Sequence, residues 1–155
     1  MKSSKQKKVS VMKVKAKRKY ADQAISRRNP CTHLAGEYFA AAELSRRGFN
    51  VAMTVGNAKK VDLIIEDEGR TLPIQVKAIA KKQFVGWPMK LGAKHEPKLI
   101  FICIVLGANG FMPEFYILDG KTVQQRTKLY KTRAILNIGS IKDFKDNWAL
   151  IERHF

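Results

Sequence analysis

A mixed α/β sandwich, with a central sheet of about five strands flanked by helices, is the fold class this sequence predicts. Three observations carry that expectation. A stretch with helical periodicity precedes three strand-like runs. A continuous apolar segment, LIFICIVL, lies between two Gly- and Pro-bearing stretches. Helical patterns return after the last strand. The 155 residues suffice for one domain with a real core and fall short of two.

The elements follow in order. Asn29-Pro30 marks a break, and Thr32 can cap a helix placed from about His33 to Arg47 and ended by Gly48. Phe49–Val55 reads as a strand, with a turn at Gly56-Asn57. Val61–Glu66 and Thr71–Ile79 are expected to form a hairpin around Asp67-Glu68-Gly69. Ala80–Lys98, with Gly86, Pro88, Gly92 and Pro97, is expected to be mostly loop. Leu99–Leu106 is apolar throughout, as a strand buried on both faces is. Glu114–Leu118 is the fifth strand. Asp119 starts a helix expected to run to about Tyr130, and a last helix is placed from Ile141 onward, carrying Trp148. No internal repeat is present.

Charge defines the partner class. Thirty Lys and Arg oppose 13 Asp and Glu, a net +17, and such an excess points to a polyanion, nucleic acid before membrane. It is unevenly spread. Residues 1–28 carry eleven basic side chains and one acid, so +10 sits there and +7 on the other 127 residues. Residues 1–28 are therefore expected to be a flexible basic arm, and 29–155 the folded domain. Phosphate contacts are expected from Lys13, Lys15, Lys17, Arg18, Lys19, Arg27 and Arg28 of the arm. In the domain they are expected from Arg46, Arg47, Lys59, Lys60, Lys81 and Lys82. Trp87, in the aromatic and basic stretch KKQFVGWPMK, either stacks on an unpaired base or belongs to the core. No apolar run approaches the ~20 residues of a membrane helix, so no membrane partner is expected. Cys31 and Cys103 build no disulfide framework, and a cytoplasmic location fits. Cys31-Thr32-His33 has no further Cys or His nearby in sequence, so zinc is not expected. No P-loop or dinucleotide-binding glycine fingerprint occurs.

The hairpin raises the question of chemistry. Alternation along a strand puts Gln75 and Lys77 on one face, with Ile74, Val76 and Ala78 on the other. In the preceding strand Val61, Leu63 and Ile65 share a face and leave Asp62 on the opposite one with Ile64. A hairpin can bring Asp62, Gln75 and Lys77 onto one surface, in a register that strand ends decide. Glu37 shares a helix face with Ala40, Ala41 and Leu44. A carboxylate beside that packed face is costly unless compensated. Glu37 and Asp62 can share one hard cation, with the Gln75 amide oxygen and the Val76 carbonyl completing an oxygen shell of the kind Mg²⁺ accepts. Lys77 is then placed to hold a water or to stabilise charge building on phosphate. The same residues admit plainer roles. Asp62 can pair with Lys59, Lys60 or Lys77; Glu37 can pair with Arg28 or Lys77; Lys77 can be a surface lysine.

The order of a helix Glu, a strand Asp, then Gln, one residue and Lys resembles the PD-(D/E)XK nuclease superfamily, here in GEYFAAAELSRRGF, KKVDLII and IQVKA. GNAKKVDLII followed by IQVK is also similar to archaeal Holliday-junction resolvases. Gly36-Glu37, PEFYILD and KDFKDNWAL are more similar to small uncharacterised restriction-endonuclease-like proteins. The resemblance covers about His33 to Leu150. It implies a sheet flanked by helices, Mg²⁺ with Mn²⁺ as a substitute, and phosphodiester hydrolysis. By position it makes Glu37 and Asp62 metal ligands, puts Gln75 where a second acid stands, and makes Lys77 the catalytic lysine. Val61 replaces the name-giving Pro. Gln75 brings an amide oxygen, a weaker ligand than a carboxylate, which implies lower metal affinity. The expected function is a metal-dependent DNA endonuclease, structure-selective or weakly sequence-specific. The alternative is a non-catalytic nucleic-acid-binding protein that retains the fold. Cutting two strands symmetrically implies a homodimer.

Overall fold

Fifteen residues after Cys31 form the first helix, α1 (Thr32–Arg46), which buries Gly36, Ala40 and Leu44 at helical spacing. Small residues on that face let the helix lie flush on the sheet. A Cβ at Gly36 would overlap the Ala78 Cβ, so the backbones touch there. The computed structural model describes residues 31–54, 60–80, 86–107 and 111–155. Thr32–Phe155 cluster as one unit. The arm with its seven named cations, as well as Lys59, Lys81 and Lys82, lies outside the described residues.

The main sheet has the order β1-β2-β3-β5-β6, built from β1 (Asn50–Met53), β2 (Leu63–Asp67), β3 (Arg70–Ala80), β5 (Ile100–Leu106) and β6 (Glu114–Asp119). Neighbours are antiparallel except β3 and β5, which run parallel with Gln75 opposite Phe101 and Lys77 opposite Cys103. A parallel pair needs a crossover. Here it contains β4 (Gly86–Met89), which belongs to a second sheet, β4-β8-β7, with β7 (Thr127–Leu129) and β8 (Ala134–Asn137).

Two cores result, one on each face of the main sheet. Leu63, Ile65, Leu72, Ile74, Ile102 and Ile117 pack with Ala40 and Leu44 of α1. Phe101, Cys103, Val105 and Leu118 pack with Trp87, Met89 and Leu136 of the second sheet. Strand β5 feeds both cores with alternate residues, which explains its unbroken apolar run.

One expectation is refined and three are corrected. Ala80–Lys98 is loop from residue 90 to 98, as expected, but it also holds a strand. Gly86–Met89 forms a strand because Trp87 and Met89 enter the second core, while Pro88 is tolerated on an edge strand. Trp87 is fully buried, with its Nε1–H donating to the Ile104 carbonyl (3.1 Å), so it is a core residue and not a base-stacking one. The helix after Asp119 stops early. In α2 (Gly120–Arg126) the Asp119 Oδ1 caps the Thr122 N–H (2.6 Å), and Thr127 then turns extended to pair with Leu136. No long helix starts at Ile141. Ile138–Ser140 and Lys142–Phe144 are single 3₁₀ turns, and only Ala149–Glu152 (α3) is α-helical. Ile141 and Phe144 pack in the second core and Trp148 and Ile151 in the first. The chain must change faces between them, which a straight helix cannot do. Asp146, at φ 53°, makes the bend.

Candidate active site

The site forms where β2 begins, beside the middle of β3. Asp62 lies in a bend just before β2, not in its ladder. Its backbone N–H still donates to the Ile74 carbonyl (2.9 Å). One step further along β3, where the next ladder acceptor would stand, the Asp62 side chain takes over: Val76 N–H donates to Asp62 Oδ2 (2.7 Å). Thr54 steadies the bend, its hydroxyl donating to the Val61 carbonyl (2.7 Å). The bend also breaks the expected alternation. Val61 packs in the second core while Leu63 and Ile65 lie in the first.

In an antiparallel ladder the N–H and C=O of one residue leave by the same edge. The Val76 carbonyl therefore leaves β3 on the edge that Asp62 occupies. Glu37, half-buried on α1, completes the cluster of acids. Its carboxyl is held above the usual range, first by burial and then by the Asp62 charge, with His33 acting in the opposite sense. Gly36, in contact with Ala78, is what brings Glu37 this close to β3.

Gln75 and Lys77 share a face, as alternation requires, and line a cleft of about 560 Å³ with Lys60, Lys90, Lys94 and His95. Asp62 does not line it. The carboxylate meets the β3 backbone between Gln75 and Lys77, a correction to the expectation of one common surface. Beneath Lys77 lies Cys103, whose buried thiol is pushed up to about 12 and stays protonated at neutral pH. Among the described residues neither Glu37 nor Asp62 forms an ion pair with Lys60 or Lys77, so the plainer pairings among these groups are not made. Arg46 and Arg47 are both tied to Glu43 (2.9 and 3.0 Å), and the Arg47 guanidinium lies over Trp148.

Mg²⁺, the cation that the nuclease resemblance implies, would meet a donor set made of oxygen. Glu37, Asp62, the Gln75 amide and the Val76 carbonyl offer only oxygen, the donor type a hard cation takes. Two neighbouring acids, one already disfavoured as an anion, are stabilised by a cation between them. The set is lean. Among the described residues no three His, Cys, Asp or Glu side chains cluster. The residues fit a weakly held cation.

The raised Glu37 carboxyl carries a stability consequence. Folding disfavours its ionised form, so the native protein binds its proton more tightly than the unfolded chain, and stability on this account falls as pH rises through the folded value. Glu37→Gln is expected to raise the melting temperature of the metal-free protein at neutral pH by ~2–4 °C, about 1 kcal/mol at most at a half-exposed site. The gain should vanish at a pH below the ordinary carboxylate range. Calorimetric melts at two pH values check this, and equal melting temperatures at neutral pH would refute it.

Sequence reading, which allowed Lys90 and His95 to touch nucleic acid from a loop, did not place them beside Gln75 and Lys77. Lys90, Lys94 and His95 belong to a loop between β4 and β5 that only the crossover brings over β3. A smaller groove of about 180 Å³ continues from that loop to Thr127 and Leu129 of the β7–β8 hairpin. Lys128, Lys131 and Arg133 lie exposed on the same hairpin. Their spacing in TKLYKTR was the available signal, and it straddled the end, near Tyr130, of a segment read as helix.

A helix bearing an acid, packed on a β1-β2-β3 meander and followed by a parallel β5 and an antiparallel β6, defines the restriction-endonuclease-like fold. A solved bacterial homing endonuclease, I-Ssp6803I, is similar to this chain, with a TM-score of 0.59 and 14% identity over 79% of this chain and 92% of that one. Hjc, a Holliday junction resolvase from Archaeoglobus fulgidus, aligns with a TM-score of 0.46 and 10% identity over 71% and 87%. No family model and no curated protein matches the sequence. The likeness is one of fold. Among the described residues no helix is long and apolar enough to cross a membrane.

Proposed function

We propose that this protein is a metal-dependent DNA endonuclease. The observation that carries this reading is the Asp62 carboxylate seated on the Val76 N–H, between Gln75 and Lys77 of a basic cleft, with Glu37 near enough for the Asp62 charge to raise its carboxyl. The restriction-endonuclease-like fold and the net +17 charge support it. Glu37, Asp62, the Gln75 amide oxygen and the Val76 carbonyl would hold Mg²⁺, or Mn²⁺ in its place. When bound, the cation supplies an activated water and offsets charge on the phosphate. Asp62, fixed by the Val76 N–H, keeps one oxygen oriented in advance. Lys77 projects into the cleft, where its ammonium meets the scissile phosphate and stabilises the charge that develops there. The arm and the cleft lysines supply sequence-independent affinity that falls steeply with salt. The cleft lysines meet phosphate and not base edges, which favours structure-selective or weakly specific cutting.

Plasmid nicking with Mg²⁺ or Mn²⁺, beside an EDTA control, tests the reading. Metal-dependent nicking is expected. DNA binding without nicking under either metal would leave a non-catalytic binder that retains the fold. Gln75→Glu adds a third carboxylate to the donor set and is expected to tighten Mg²⁺ binding by about tenfold, since one more negative ligand faces the divalent ion. Isothermal calorimetry reads this, and weaker binding by the variant would remove Gln75 from the ligand set.

A further inference from the structure

The cleft beside Lys77 is larger than a phosphate group requires. Its volume of about 560 Å³ falls within the ~300–1,000 Å³ typical of small-molecule sites. Its lining is of two kinds. Lys60, Lys77, Lys90 and Lys94 are cationic, while Met89, Ala93 and Leu99 offer apolar surface, with Gln75 and His95 as polar groups beside them. The wall is braced. Ala93 N–H donates to the Lys90 carbonyl (3.1 Å) and Leu99 N–H to the Glu96 carbonyl (3.0 Å). His95 N–H donates to Gln124 Oε1 of α2 (3.2 Å). The His95 ring stands edge-on to Phe101, with centroids 5.0 Å apart. Gly120 lies directly beneath the Glu96 carbonyl, where any Cβ would overlap the oxygen, so the loop seats on the start of α2.

Anion, apolar plane and polar edge are the three parts of a nucleotide. A base stacked and paired within a duplex has both faces covered and its edge engaged, so it cannot enter a lateral cleft; an unpaired base can. We propose that this cleft binds one unpaired nucleotide, its phosphate on the lysines and its base against Met89 and Leu99 beside Gln75 and His95. Burial first, and then the Lys77 and Lys60 charges, hold His95 below the usual range. A neutral imidazole has one donor and one acceptor for a base edge. The inference rests on the nucleic-acid reading of the site and names its substrate class: DNA with an unpaired nucleotide at the cut, as in a flap, bubble or branch.

The test uses the full chain in EDTA, so that binding is read without chemistry. Deoxythymidine 5′-monophosphate and inorganic phosphate are titrated separately by calorimetry, with the His95 imidazole resonances followed by NMR. The nucleotide is expected to bind at least about tenfold more tightly than phosphate, ~1.4 kcal/mol, and to shift the His95 resonances. His95→Ala should bring the two affinities together. Ala93→Phe, which fills the cleft and keeps every lysine, should do the same, and it carries the test if His95→Ala fails to fold. Equal binding of nucleotide and phosphate by the native chain overturns the inference, as does an unchanged ratio in a folded Ala93→Phe protein. Nucleotide binding without metal-dependent nicking would sink the endonuclease reading alone; nicking without nucleotide binding would sink this one alone.

Discussion

Lys77→Ala is expected to lower metal-dependent DNA cleavage by about 10²-fold or more while leaving DNA affinity within a few-fold of the native protein. The ammonium is one of several cations on the cleft, so its share of ground-state binding is small. Its special position is geometric. It stands two residues beyond Gln75 on the same face of β3, in the stretch that β5 pairs, and the neighbouring Cys103 is uncharged. Asp62→Asn is the companion variant. The Asn amide oxygen can still accept the Val76 N–H, so the bend persists, but the charge that a cation would meet is lost. Asp62→Ala would add a structural defect, leaving the Val76 N–H without its acceptor at about 1–3 kcal/mol. Nicking rates and salt-dependent binding curves, measured side by side, separate the two effects. Full cleavage by either Lys77→Ala or Asp62→Asn would reject the assignment.

Trp87→Ala is expected to destabilise the fold by about 3–5 kcal/mol, the largest stability effect of any substitution considered. The indole is fully enclosed between the two sheets, meets Tyr116 edge-on at 5.7 Å, and donates to the Ile104 carbonyl of the central strand. Truncation leaves a cavity and removes that hydrogen bond. Urea denaturation reads the loss as a fall in midpoint at nearly constant slope. Were Trp87 instead a stacking platform for DNA, the alanine variant would keep its midpoint and lose about 1–3 kcal/mol of binding to single strands. That result would contradict the packing.

These two residues sit only ten positions apart, yet one role was readable in the sequence and the other was not. Lys77 and Gln75 declare a common face through alternation with Ile74 and Val76, a relation between near neighbours in one strand. Trp87 gives no such signal. Its burial depends on the crossover between β3 and β5, which carries Gly86–Met89 into a second sheet. Sequence allowed it to be either a stacking residue or a core residue, and tertiary packing chose the core. Likewise, Asp119 caps a helix by local chemistry alone, but the end of that helix at Arg126 is decided by Thr127 pairing with Leu136.

The sequence by itself determined the five strands of the main sheet, the leading helix, the basic excess and the shared face of Gln75 and Lys77. All of these are written in composition or in periods of two and 3.6 residues. The tertiary structure decided the parallel pairing of β3 with β5, the bend that turns the Asp62 carboxylate to the Val76 N–H, and the approach of Glu37 through the Gly36–Ala78 contact. It also decided the cleft wall carried by Lys90, Lys94 and His95. The physical reason is range. Periodicity records which side of an element is apolar, whereas a site assembled from a helix, a bend, a strand and a loop depends on contacts between residues far apart in the chain.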